Sequence, residues 1–420
     1  MIVKNSIIFI IFELVNKSIP FLLLPILTRY LTPDDYGIIA SFTALVAFIS
    51  IFLGLSGHGA VDANFFRLDK NKLGIYISNV LLVLLSTTFI VLVFILIFSN
   101  FIETKLAISF EWQIFAVIVS FGQFITLINL SLWVLEQKPL QYGTYQFLQT
   151  ITLALISISL IVGFSYKWEG QVLATIIGTL LFSFISLIVL YKRGYLSLKV
   201  NKSYINDLLT FGMPLVPHQL GAWLRSQGDK IIIVTFLGTS STGLFAVGYQ
   251  MGMIMSILMS SLTKALYPIL FNYLSKNLSF EEKKKLVIFS YGIFLGIFLI
   301  GILCIVILEY LYPYFLGKNF QSSIYLTKLI VISFIFEGMY YCIVGYIFYF
   351  KKTVKLAKIT FTISLLHIAL SFILIKSFGA IGAGYSLAIS GFLQFLSIWY
   401  LSNKIYPMPW FSFWRRDDIR

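Results

Sequence analysis

The sequence predicts an all-α polytopic membrane protein with twelve transmembrane helices in two parallel six-helix lobes. Three observations carry this. Hydrophobic residues make up 59% of the 420 and charged residues only 11%, so there is too little polar surface to cover a water-soluble domain. Twelve apolar runs have about the 20-residue length that crosses a bilayer. The lysines and arginines gather in every second connection.

The first helix covers 6–31. Met1–Lys4 and the apolar run after it imitate a signal peptide, but the run carries Glu13 and Lys17 and has no small-residue cleavage site, so it stays as a helix. Helices two to six follow at 38–57, 75–98, 113–135, 143–164 and 171–191, closing an N-terminal lobe at 192. The most polar connection, 193–207, is a cytoplasmic linker. The C-terminal lobe, 208–404, holds runs at 208–237, 243–265, 286–309, 324–349, 359–376 and 382–401, and 405–420 form a cytoplasmic tail. A shift of 206 lays Leu31, Gly37 and Ala40 on Leu237, Gly243 and Ala246, and the turn Thr32–Tyr36 on Gly238–Thr242. A shift of 212 lays Gly170 and Lys192 on Gly382 and Lys404. Six helices per half start both repeats on the same face, so the repeats are parallel, with any pathway between them.

Orientation follows from the basic residues. With the N-terminus inside, the inner segments hold 21 of the 31 lysines and arginines, among them Arg67, Lys70, Lys72, Lys192, Arg193, Lys283, Lys284, Lys285 and the terminal Arg415, Arg416 and Arg420. The outer segments hold Arg29, Lys105, Lys167, Lys318 and Lys376. Both termini are therefore expected in the cytoplasm. The net charge of +14 is mostly this asymmetry and needs no nucleic acid to explain it. Tyr310, Tyr312, Tyr314, Trp410 and Trp414 fit interfacial belts. Gly248-x-x-x-Gly252 and Gly292-x-x-x-Gly296 have the spacing of close helix crossings, which a chain this apolar also produces by chance. Cys304 and Cys342 lie in apolar runs without metal-ligand spacing and read as small core hydrophobes.

Polar residues inside the apolar runs are the candidate site. In helix seven Pro214, His218, Arg225 and Asp229 fall within a stripe roughly 60° wide. Helix one repeats the arrangement with Asn5, Glu13, Asn16, Lys17 and Pro20. Helix eight adds Gln250, Ser260, Ser261 and Lys264, and helix ten adds Lys328 and Glu337. Two structural readings compete with a functional one. Glu13–Lys17 and Arg225–Asp229 have the i,i+4 spacing of self-neutralising pairs, and Lys264 and Lys328 have stems long enough to snorkel to the interface. Against these stands the cost of a charge at the bilayer centre, about 2.5–3.5 kcal/mol on insertion scales. Lys17, Arg225, Lys230, Lys264 and Lys328 outnumber Glu13, Asp229 and Glu337, so a cavity built from them would be cationic and suit a phosphate or pyrophosphate. The three carboxylates are the coupling-ion candidates. His218 reads as a polar-stripe residue before it reads as a proton carrier. Pro20, Pro25, Pro214 and Pro217 are either tolerated kinks or the bending points of gates, and their place in the first helix of both repeats favours gates.

Enzyme signatures are missing: there is no His-Glu-x-x-His, no phosphate-binding glycine loop and no large external loop bearing carboxylates. Neither a metal nor a cofactor is implied. Asp34-Asp35 in a short turn and Asp417-Asp418 in the tail read as solvated charges.

The segment Leu27-Thr28-Arg29-Tyr30-Leu31-Thr32-Pro33-Asp34-Asp35-Tyr36-Gly37-Ile38 resembles the first turn of bacterial polysaccharide flippases, the O-antigen and capsule repeat-unit transporters of the multidrug/oligosaccharidyl-lipid/polysaccharide (MOP) exporter superfamily. Phe211-Gly212-Met213-Pro214-Leu215-Val216-Pro217-His218, followed by Asp229-Lys230, Phe236-Leu237-Gly238 and Gly243, is similar to their helix-seven pattern. The resemblance covers essentially the whole chain. It implies two lobes that open alternately to each side of the inner membrane. The implied cargo is an undecaprenyl-pyrophosphate-linked sugar repeat unit for O-antigen, lipopolysaccharide or other surface glycan. Polymerase and glycosyltransferases of the same pathway are implied as possible partners. Many relatives carry arginine where Lys230 stands, so a bidentate phosphate contact is less expected there. The same fold also serves drug/cation antiporters, which favour acidic cavities. A membrane glycan polymerase is the remaining alternative, and the short external loops argue against it.

Overall fold

The computed structural model describes residues 2–197, 199–276 and 278–411, and all of their side chains except those of 2–7, 10, 264 and 265. Of the residues singled out above, the side chains of Lys4, Asn5 and Lys264, and all of Trp414, Arg415, Arg416, Asp417, Asp418 and Arg420, lie outside the described ones. The described residues form helices and no strand: α1 (Ile2–Tyr30), α2 (Pro33–Phe52), α3 (Gly57–Asn64), α4 (Lys70–Leu106), α5 (Phe110–Leu135), α6 (Pro139–Ile158), α7 (Trp168–Lys192), α8 (Lys202–Gly212), α9 (Val216–Leu274), α10 (Phe280–Phe315), α11 (Ile324–Tyr349), α12 (Thr353–Phe378) and α13 (Ile381–Ile405). Eleven segments among them are long and apolar enough to cross a membrane. One of these, Lys202–Leu274, has 73 residues and breaks at Gly238, whose φ of 83° is left-handed, so it supplies both the seventh and the eighth expected helix.

Contacts group the chain into two compact units, Met1–Leu244 with Leu316–Asn319, and Phe245–Phe315 with Phe320–Arg420. In the first unit, α2 starts from a capping box. Asp35 N–H donates to Thr32 Oγ1 at 3.2 Å, Thr32 N–H donates to Asp35 Oδ2 at 2.8 Å, and Pro33 sits where its missing N–H is harmless. Asp35 is therefore a buried cap, not the solvated charge expected. Its neighbour Asp34 accepts a 2.6 Å hydrogen bond from Thr239 Oγ1. Here the turns that the 206-residue shift superimposes meet each other. A Cβ on Gly37 would strike the Thr239 carbonyl, and a Cβ on Gly243 would strike the Pro33 carbonyl. Each glycine is needed for close approach to backbone.

Hydropathy places the end of the second helix at 57, but the structure ends α2 at Phe52 and turns through Leu53–Ser56 before α3 resumes. Gly54, Leu55 and Ser56 have φ of 63°, 45° and 56°, two of them non-glycine residues held in the left-handed region. The turn is fixed from three sides. Gly54 N–H donates to Thr87 Oγ1 at 3.0 Å, Gln219 donates to Ser56 Oγ, and Gly212 lies against the Leu55 carbonyl.

The polar 193–207 stretch is anchored to α4. Ser197 N–H donates to Ser78 Oγ at 2.7 Å; Asn79 donates to Lys199 O at 3.0 Å and accepts from Asn201 N–H at 2.9 Å. From Lys202 it is already helical, capped by Asn201, and Asp207 accepts from Tyr76 Oη at 2.8 Å. At the start of the stretch, Arg193 donates to Glu136, which also accepts from Tyr195 Oη at 2.7 Å. Burial opposes ionisation of Glu136, but hydrogen bonds from Lys138 and Tyr195 and the charge of Arg193 outweigh it and hold the carboxyl below the usual range. Burial and the same carboxylate push Tyr195 up to about 12. A depressed carboxylate stabilises the fold above its unfolded pKa and loses that contribution as pH falls through the folded value. Thermal unfolding in detergent should therefore show a drop in Tm below about pH 4.5, and Glu136→Gln should flatten that limb. An unchanged acid limb in the variant would remove Glu136 from the account.

In the second unit, α9 crosses α11 at Gly248 and Gly252, against Thr327 and Ile330, and Thr327 Oγ1 donates to Gly248 O at 3.2 Å. Gly292 and Gly296 face open space, so that second spacing marks no close crossing among the described residues. The aromatic-belt expectation needs correcting at two places. Tyr310 and Tyr314 are 73% and 80% exposed, but Tyr312, some 200° around the helix from Tyr310, is buried and bonded to Ser323 and Thr327, both at 2.7 Å. Trp410 is buried too: the segment after α13 folds back, Tyr291 Oη donates to Trp410 O at 2.7 Å, and the indole packs on Trp399.

Candidate functional site

In the first unit the two-proline helix α1 stays continuous through Pro20 and Pro25. Lys17 Nζ lies 2.7 Å from Glu13 Oε1, both side chains half-exposed, and Asn16 donates to Gln146 of α6 at 3.2 Å. That is the self-neutralising pair among the alternatives read from sequence, and an exposed pair of this kind contributes about 0–1 kcal/mol. Pro214 falls in the short tight turn Met213–Leu215 between α8 and α9, and Pro217 in the first turn of α9, inside a helical run that continues from Lys202.

One face of α9 is anchored. Gln219 donates to Ser56, Trp223 Nε1 donates to Ala44 O at 3.1 Å, and the indole packs on Phe48. The opposite stripe holds Pro214, His218, Ala222 and Arg225, all exposed. Arg225 makes no hydrogen bond or salt bridge among the described residues, so the i,i+4 pair with Asp229 is not formed; Asp229 is buried. Lys230 lies about 140° around the helix from Arg225, half-buried, with Nζ 2.9 Å from Gln227 Oε1. The structure thus places Arg225 and Lys230 on different sides of α9.

In the second unit Lys328 Nζ is 2.9 Å from Glu309 Oε2 and lies over the Tyr325 ring. Glu337 accepts from Tyr341 Oη at 3.0 Å and from Ser256 Oγ at 3.3 Å. Lys328 and Glu337 are nine positions apart on α11, about 14 Å along the axis, so these two do not meet one ligand atom.

Sequence reasoning missed a polar cluster beside the α2 turn. Asp62 accepts from Ser131 Oγ, and Asn64 donates to Asp207 at 3.2 Å. His58 Nδ1 is buried without a hydrogen-bond partner among the described residues. The available signal was Gly54, Gly57 and Gly59 inside an apolar run, which marks a break rather than a helix end. His367, bonded to Ser390 at 3.1 Å between α12 and α13, is a second buried polar residue that hydropathy does not single out.

The family model described as polysaccharide biosynthesis protein matches residues 2–274. The chain belongs to that family. Its relatives include Lsg locus protein 1 of Haemophilus influenzae, 27% identical over 94% of this chain and 97% of the relative. Another is the capsular polysaccharide biosynthesis protein CapF of Staphylococcus aureus, 24% identical over 96% of this chain and all of CapF. Among solved structures, the lipid II flippase MurJ in an inward closed conformation aligns with a TM-score of 0.72 at 14% identity, covering 95% of this chain and 87% of MurJ. This polysaccharide biosynthesis family member therefore shares the all-helical fold of that solved flippase, and is a multi-pass membrane protein. Neither the family nor the fold is a class of enzymes.

Proposed function

We propose that the protein carries a lipid-linked oligosaccharide, an undecaprenyl-pyrophosphate-linked repeat unit, from the inner to the outer leaflet of the cytoplasmic membrane for surface polysaccharide assembly. The observation that carries the reading is Arg225, an exposed guanidinium without a partner among the described residues, on an apolar helix long enough to span. A charge held that way in a membrane segment is expensive unless an anion or water meets it, and a guanidinium fork matches phosphate oxygens. CapF and MurJ, one a capsule biosynthesis protein and the other a lipid II flippase, support the same class of cargo.

In this scheme lobes 1–192 and 208–404, with both termini cytoplasmic, alternate in access. Arg225 is the principal phosphate contact, with Lys17, Lys230, Lys264 and Lys328 supplying cationic field. Glu13, Asp229 and Glu337 are the coupling-ion candidates. Pro20 and Pro25 in α1, and Pro214 and Pro217 at the head of α9, are the gating positions.

The test is reconstitution. In proteoliposomes, a fluorescent undecaprenyl-pyrophosphate oligosaccharide should reach the quenchable leaflet at least tenfold faster than in empty vesicles. No acceleration, together with gradient-driven uptake of a cationic dye, would replace this reading with a drug antiporter.

A further inference from the structure

One cavity of the first unit is lined by none of the residues in the scheme above. It is a groove of about 790 Å³ between α2, α4 and α9. Its walls are aromatic: Phe94, Phe98 and Phe101 on α4, Phe48 and Phe52 on α2, and Trp223 on α9. Hydrogen bonds fix both ends. At one end Thr87 meets the Gly54 N–H of the α2 turn, and at the other Thr235 Oγ1 donates to Lys105 O at 3.4 Å.

We propose that this groove holds the polyisoprenyl chain of a lipid whose anionic head lies at the Lys105 end; the assignment rests on the cargo class proposed above. Length selects the chain. From Thr87 to Lys105, α4 rises about 27 Å, whereas one leaflet supplies about half of a hydrocarbon core roughly 30 Å thick. A phospholipid acyl chain is too short to fill it, and a long polyprenyl chain is not. Charge selects the head. Lys105 is exposed, is the one charged residue in the groove's lining, and makes no side-chain hydrogen bond or salt bridge among the described residues. An ammonium at the end of an apolar channel complements a phosphate at the end of a hydrocarbon. The aromatic walls suit a methyl-branched chain that must slide, since ring faces offer dispersion contact without interlocking.

The experiment uses the full chain in vesicles with two probes: undecaprenyl phosphate carrying a diazirine at its distal end, and phosphatidylglycerol carrying one in its acyl chain. On illumination the polyprenyl probe should label the α2 and α4 walls, and excess unlabelled undecaprenyl phosphate should suppress that labelling at least fivefold. Ile90→Trp, which fills the groove from an exposed position, and Lys105→Glu should each lower it at least threefold; Leu96→Trp, exposed on α4 but outside the groove, should not. Equal labelling by phosphatidylglycerol, or polyprenyl labelling indifferent to Ile90→Trp and Lys105→Glu, overturns the proposal. The reconstitution assay separates the two readings. Flipping without groove labelling removes only the groove; groove labelling without flipping of any lipid-linked sugar removes the transport function.

Discussion

Arg225→Ala should lower glycan transport at least tenfold while leaving the protein's abundance and thermal stability unchanged. The two halves of that expectation have different physical sources. The side chain is exposed and has no partner among the described residues, so its removal strands nothing, and surface truncations of that kind usually stay within about 0.5 kcal/mol. Its only large energetic role is then with a ligand. Arg225→Lys should recover part of the activity, because it restores the charge but not the planar fork. Flipping of the fluorescent lipid-linked oligosaccharide, read beside a detergent melting curve, checks both halves. Normal flipping by the alanine variant would discard the cationic-site reading, and a collapsed melting curve would make Arg225 structural.

The second large effect is expected at Gly243. A β-carbon there meets the Pro33 carbonyl, and one at Gly37 meets the Thr239 carbonyl. Backbone atoms cannot rotate out of the way, so Gly243→Val must part the two turns, with an overpacking cost of about 1–3 kcal/mol or more. Cysteines placed at Asp34 and Thr239, whose side chains are hydrogen-bonded at 2.6 Å, should cross-link readily in the parent protein and poorly with Gly243→Val present. Transport should be lost in the valine variant, and Gly292→Val, in open space, should behave as the parent does. Undiminished cross-linking in Gly243→Val would show that the turns tolerate a side chain after all.

How far these features are legible in the sequence depends on what sets them. The twelve apolar runs appear as helices because hydrocarbon demands internally satisfied backbone over a fixed length. Their ends do not: the third run was bounded at 75–98, whereas α4 extends from Lys70 to Leu106, since polar turns beyond the lipid look like loops to a hydropathy scale. The break in the second run was written in Gly54, Gly57 and Gly59, but Leu55 and Ser56 adopt positive φ only because Thr87, Gln219 and Gly212 hold them there. At the candidate site, helical angles alone separate Lys230 from Arg225. Lys328 is different. Its partner Glu309 is on another helix, and no spacing rule connects them. Asp35 differs from its expectation for a local reason: Thr32 and Asp35 form a capping box, and a buried cap and a solvated turn share the same residues.

The paired turns carry a consequence for ancestry. Gly37 receives a carbonyl from Thr239, and Gly243 receives one from Pro33; the 206-residue shift converts each contact into the other. A contact unchanged when its two sides are exchanged is the geometry of an isologous two-fold interface. A half-length chain carrying one such turn already bears both the glycine and the carbonyl needed to join a second copy inserted in the same direction. Duplication of its gene would then have fused a homodimer, with no new complementary surface required at this point.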